Sequence, residues 1–169
     1  MQILNDDEMR NIEKGFNAIR LLWVMIVIAL AVFIIIANVI GKEGTITGNN
    51  KPDEAFLLIG YILYAIGAII LIVVYFIRRA ITNPKSVISR MAGFMGGNPR
   101  SAVGRYLVGI LICSALIEAI GIYGLIIFII NADFLSLYFL IGVAAAAHLY
   151  FRPKKQELID LATQIKQNS

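Results

Sequence analysis

Four apolar runs constrain this chain more than any motif in it: residues 21–40, 55–77, 106–130 and 134–151. A helix crosses the hydrocarbon core of a bilayer with about 20 apolar residues, the workable range being about 17–25. All four runs fit, the last being the shortest. The excess of apolar residues is large: 59% of the chain is hydrophobic and 15% charged, against about 45–50% and 25% in ordinary soluble domains. The pattern predicts an all-α, polytopic integral membrane protein with four transmembrane helices arranged as two antiparallel hairpins.

The net charge of +4 raises the question of a nucleic-acid partner, and the placement of the bases answers it. Arg10, Lys14 and Arg20 precede the first run, and only Lys42 and Lys51 follow it before the second. Arg78, Arg79, Lys85, Arg90, Arg100 and Arg105 occupy the middle loop, and Arg152, Lys154, Lys155 and Lys166 the tail. The short loop between runs three and four has no base. By the positive-inside rule both termini and the middle loop are expected on the cytoplasmic side. Topology therefore accounts for the basic excess, and no nucleic acid is expected as a partner. Asp6, Asp7 and Glu8 stand where a signal peptide would carry bases, so the first run is expected to remain as a span.

The segments flanking the runs are amphipathic. Over residues 1–20, Met9, Ile12, Phe16 and Ile19 recur at helical spacing, with Asn5 or Asp6 as the expected cap. This helix is expected either to lie on the membrane surface or against a partner, or to serve as a solvated lead-in to the first span. In the tail, 152–169, Leu158, Ile159, Leu161, Ala162 and Ile165 resume the period after Pro153, giving a second surface helix or coiled contact. The external loop "GKEGTITGNNKPDE" reads as a turn-prone connector. In the middle loop, Val87, Ile88, Met91 and Phe94 predict a short interfacial helix between Pro84 and Pro99, its basic surroundings suited to anionic lipid head groups.

One carboxylate interrupts the apolar pattern. Glu118 is the central residue of the run 106–130. A charged side chain at that depth costs about 2.5–3.5 kcal/mol on insertion scales and by default marks a functional position or an internal polar contact. The low dielectric favours the neutral form, so a hydrogen-bonded acid able to exchange its proton is the simplest chemistry. Ser114 and Ala115 lie one helical turn before it, and Gly121 and Ile122 one turn after. Gly109, Gly121 and Gly124 offer places where another helix can approach closely. Ser114 is a candidate hydrogen-bond partner, as are Tyr61 and Tyr64 if the second span is the neighbour. His148 is expected near the cytoplasmic end of the fourth span, about 13 Å from Glu118 in depth by the helical rise, and hence not its partner.

The stretch "NPRSAVGRYLVGILICSALIEAIGIYGLIIFII", residues 98–130, resembles the loop and carboxylate-bearing second helix of the rotary ATP synthase proteolipid, subunit c. Pro99 stands for the loop proline, Ala102, Gly104 and Arg105 fall near the loop positions, and Glu118-Ala119 with Ile122-Tyr123-Gly124-Leu125 matches the helix motif. The resemblance implies that Glu118 is a proton- or sodium-binding carboxylate, with Tyr123 beside it in the matching motif. Ala119, where sodium-type members tend to carry a hydroxyl, leans towards protons. The preceding span departs from the family: it has only Gly60 and Gly67 among bulky side chains, so a close-packed rotor ring is not implied.

No nucleophile–base pair or phosphate loop is present, and the single histidine and single cysteine, Cys113, leave no metal site, disulfide framework or haem pair. No enzyme activity and no cofactor are expected. Two functions remain open. In one, the protein is a membrane-embedded subunit of an ion-handling, proton-linked assembly in a bacterial inner (plasma) membrane, with Glu118, Ser114, Tyr123, Tyr61 and Tyr64 as candidate ion-binding residues. In the other, it is an assembly subunit whose Glu118 hydrogen-bonds a neighbouring helix. Either favours a homo-oligomer or other membrane subunits as partners.

Overall fold

The computed structural model describes residues 5–42, 54–83, 86 and 101–167. The described residues are helical, with no strands: α1 (Asp6–Lys42), α2 (Glu54–Ile81), α3 (Ala102–Asn131), α4 (Phe134–Tyr150) and α5 (Lys155–Gln167). The connector expected over residues 41–54 is helical at Gly41, Lys42 and Glu54; its remainder and the interfacial helix expected around Val87–Phe94 lie outside the described residues.

Local chemistry sets the helix ends. At the start of α1 the Asn5 backbone N–H donates to Glu8 Oε2 at 2.8 Å, the N3 half of a capping box. Acids in the first turn (Asp6, Asp7, Glu8) and Lys42 in the last suit the helix dipole. Residues 6–20 and the first apolar run share this one helix. In α2 the dipole is matched by Glu54 at the start and Arg78 and Arg79 at the end. Ser101 caps α3, its hydroxyl accepting from Gly104 N–H at 3.1 Å. Asp133 caps α4 by accepting from the Leu135 and Ser136 amides. Pro153 bars the continuation of α4 into α5.

α1, α2 from Leu57, and α3 are long and apolar enough to cross a membrane; a fourth span is reached if α4 and α5, broken at 151–154, are taken together. The 17 residues of α4 make a rod of only about 26 Å.

The chain forms two compact units. The first comprises Met1–Val24, Val74–Ser114 and Phe151–Ser169. Its core joins Ile12 and Ile19 of α1, Tyr106 and Ile110 of α3, and Leu158, Leu161 and Ala162 of α5. The apolar face of the amphipathic start of α1 is thus covered from within the chain. Two ion pairs flank this core, the exposed Lys155–Glu13 and the part-buried Lys166–Glu8, each at 2.8 Å.

The second unit comprises Met25–Val73 and Ala115–Tyr150. Glycines mark its close approaches. A Cβ at Gly121 would lie 2.8 Å from Leu30 of α1, and one at Gly124 would lie 3.1 Å from Leu140 Cβ and 3.2 Å from the Leu137 carbonyl of α4. At Gly41 the neighbour is the Phe134 ring, 2.6 Å from such a Cβ. The Phe128 and Phe134 rings meet across the α3–α4 turn with centroids 4.6 Å apart, so α4 returns along α3.

Candidate functional site

Glu118 lies in the second unit, half-buried on α3. Its helix is uncharged over all 30 residues except for Arg105 and Glu118 itself. One side of α3 is buried through Ile117, Ile120, Ile127 and Phe128, while Ile122, Ile126 and Ile129 are exposed. Ala115 is exposed too. At 100° per residue Glu118 falls at the margin of that exposed stripe. Among the described residues, no hydrogen bond or ion pair reaches its carboxyl.

The other expected site residues are dispersed. Ser114 is buried on α3, one turn before Glu118. Tyr123 is half-buried. On α2, Tyr61 is 71% exposed, and Tyr64 packs its ring on Phe139 of α4 at 6.1 Å. None of the four is hydrogen-bonded to Glu118 among the described residues. Nor do any three His, Cys, Asp or Glu side chains among them gather closely enough to hold a metal ion.

His148 is placed differently from the sequence expectation. Glu118 is thirteen residues in from the Asn131 end of α3, and His148 fourteen in from the Phe134 start of α4. With a two-residue turn between the helices, those counts correspond to about 20 and 21 Å from the turn. The Gly124 contact with Leu137 and Leu140 fixes the same register. The expected separation of about 13 Å in depth therefore does not hold. The reason is length: α3 extends far past the end of α4, so the C-terminal end of α4 is level with the middle of α3. His148 is 1% exposed, continues the buried seam of Leu137, Ile141 and Ala144, and its Nε2 has no hydrogen-bond partner.

A second polar cluster, in the first unit, is absent from the sequence expectations. Arg78 Nη2 donates to Glu157 Oε2 at 2.6 Å and to the Tyr106 hydroxyl at 3.1 Å, with side-chain exposures of 12% and 25% for Arg78 and Glu157. The Tyr106 hydroxyl also accepts from Lys154 N–H at 2.9 Å and lies 3.0 Å from Glu157 Oε2, to which it donates. The guanidinium carbon stands 5.4 Å from the Tyr106 ring centre. This cluster ties α2, α3 and α5 together. One signal for it exists in the sequence: Glu157 falls one turn before Leu161, on the apolar face of the tail, where an acid requires a base.

Comparison with protein families, curated proteins and solved structures gives no match. The class defined by the fold is an all-helical protein with three to four candidate membrane-spanning helices.

Proposed function

We propose that the chain is a membrane-embedded subunit of an ion-handling assembly, that the ion is a proton, and that Glu118 gains and loses it. The observation that carries this reading is the position of Glu118: a carboxyl inside a 30-residue apolar helix, with no hydrogen bond or ion pair among the described residues. Intramembrane acids are costly and are found on ion and proton pathways. The proteolipid-like motif around Glu118 and Tyr123 supports the same chemistry, and Ala119 favours the proton over sodium. Ser114, Tyr61 and Tyr64 would complete the site in the assembled state. The alternation of bases supports an inner (plasma) membrane orientation with both termini cytoplasmic, and exposed Arg79 and the loop that follows would face anionic lipids.

A second reading is favoured by one observation, the margin of the exposed α3 stripe on which Glu118 sits. There the carboxyl can hydrogen-bond a helix of another copy or subunit, making the chain an assembly component. Two experiments separate them. A hydrophobic carbodiimide, mapped by mass spectrometry, is expected to modify Glu118 with a pH-dependent rate; a Glu118 that resists modification at every pH, with Glu118→Gln leaving ion flux intact, would end the ion-handling reading. For the assembly reading, Glu118→Leu is expected to dissociate the native complex more than Glu118→Gln. Equal effects would count against it.

A further inference from the structure

We propose that a second copy of this chain docks on the exposed side of α3, inserted in the same orientation, so that two protonated Glu118 carboxyls hydrogen-bond each other across a two-fold axis. The pairing rests on the reading of Glu118 as a proton-exchanging acid. Two observations carry it. The first is the spacing along the uncovered side of α3. Ala115, Ile122 and Ile129 are exposed and seven residues apart, and half-buried Glu118 and Leu125, also seven apart, fall between them. That is the alternation of a and d positions along the seam of a left-handed helix pair. The contacts of α3 within the chain lie elsewhere on its circumference. At 100° per residue, Glu118 stands about 120° from Gly124, which meets α4, and about 60° from Gly121, which meets α1. Ala115 and Ile122 stand farther round still.

The second observation is the carboxyl itself. Among the described residues it has no hydrogen-bond or ion-pair partner, whereas acids within membrane spans face protein or water and pair there. The exposed face of α1 from Leu21 to Val39 and that of α2 from Leu57 to Phe76 contain no acid or base, and lipid suits them. The α3 seam carries a carboxyl, which hydrocarbon leaves unsatisfied. A second copy supplies the matching group without any further residue. A protonated carboxyl has one O–H donor and a carbonyl acceptor, so two of them related by a two-fold satisfy each other. An axis along the membrane normal places identical residues at equal depth, and the positive-inside rule inserts every copy the same way. Ala115 and Ala119, on either side of the carboxyl, let the two backbones approach there. A polar residue at one seam position also fixes register and partner number. A different subunit would have to bring a donor of its own to that depth.

Cysteine cross-linking of the full-length protein in native membranes tests the pairing directly. With the buried Cys113 replaced by alanine, Ala115→Cys and Ile122→Cys are each expected to form a disulfide-linked dimer on mild oxidation, because seam residues on a two-fold lie within disulfide reach. Ile28→Cys and Ile69→Cys, on the exposed faces of α1 and α2, are expected to stay monomeric. Energy transfer between labelled copies in lipid vesicles supplies a second arm. Glu118→Gln, whose amide also donates and accepts, is expected to associate as the unsubstituted protein does, and Glu118→Leu about tenfold more weakly. Monomers throughout, meaning that lipid covers the seam, overturn the proposal. So do cross-links from the α3 cysteines to a different protein, or a head-to-tail disulfide between Ile122→Cys and Ile62→Cys copies in place of self-linking. Equal association of Glu118→Leu and Glu118→Gln overturns it as well. Each of these leaves the reading of Glu118 as a proton-exchanging acid standing. That reading fails instead if Glu118 in the unsubstituted protein never takes up a proton, and the carboxyl pair fails with it.

Discussion

The Tyr106 hydroxyl accepts from Arg78 and from the Lys154 amide and donates to Glu157, which uses all of its hydrogen-bonding capacity. Replacing it with phenylalanine leaves a partly buried guanidinium and a backbone N–H each short of a partner. Tyr106→Phe is therefore expected to lower stability by about 1–2 kcal/mol, and Glu157→Gln by about 2 kcal/mol through weakening of the charge-assisted bond. Denaturant unfolding of each variant in detergent checks both. This cluster and Glu118 are not equally legible in the sequence. Glu118 stands out because a carboxylate among apolar residues is costly wherever the helix packs. Arg78 and Glu157 are 79 positions apart, and each resembles an ordinary flanking charge until the chain folds. The height of His148 escapes the sequence for a related reason, since it depends on how far α3 outruns α4.

Helix ends and packing faces differ in the same way. The caps at Asn5 and Asp133 follow from side chains beside the first turn, and such signals are local. The buried sides of α3 and α4 leave no periodic trace, because both helices are apolar all round and hydrophobic period then carries no direction. Glycine supplies the missing direction: Gly109, Gly121 and Gly124 are the expected close approaches, and each meets a different helix, through Ile81, Leu30 and Leu137. Gly124→Ala would press a methyl against the Leu137 carbonyl, and backbone there cannot swing aside as a side chain can. A loss of about 1–3 kcal/mol is expected, read as a lowered unfolding midpoint. The turn beyond α3 offers the opposite change. Ala132 sits at φ 53° while its N–H closes the helix end on Phe128 O at 2.8 Å. A left-handed alanine costs about 1–2 kcal/mol relative to an unstrained conformation, and Ala132→Gly is expected to recover part of it and raise the same midpoint.

The molecule combines an apolar unit that holds Glu118 and His148 with a unit whose core and charges hold both terminal helices. The packing of α1 on α5 in the latter is pH-sensitive in a definite direction. The Lys166 ammonium, aided by the Asn5 amide, holds the Glu8 carboxyl below its ordinary value of 4.5, and Lys155 does the same for Glu13. Depressed carboxyls stabilise the fold above their unfolded value and lose that contribution as pH falls through the folded one. The protection of α5 amides, taken relative to their intrinsic exchange rates at each pH, is therefore expected to fall as pH drops below about 4.5, and high salt at neutral pH to have a similar, smaller effect. Glu118 belongs to the other unit. Infrared difference spectra of the purified protein, recorded between acid and alkaline pH, read the protonation of Glu118 directly. A protonated carboxyl C=O band that titrates in the unsubstituted protein and is missing from Glu118→Gln is expected; a carboxylate band for Glu118 at every pH, with no protonated form, would contradict a proton-exchanging acid within α3.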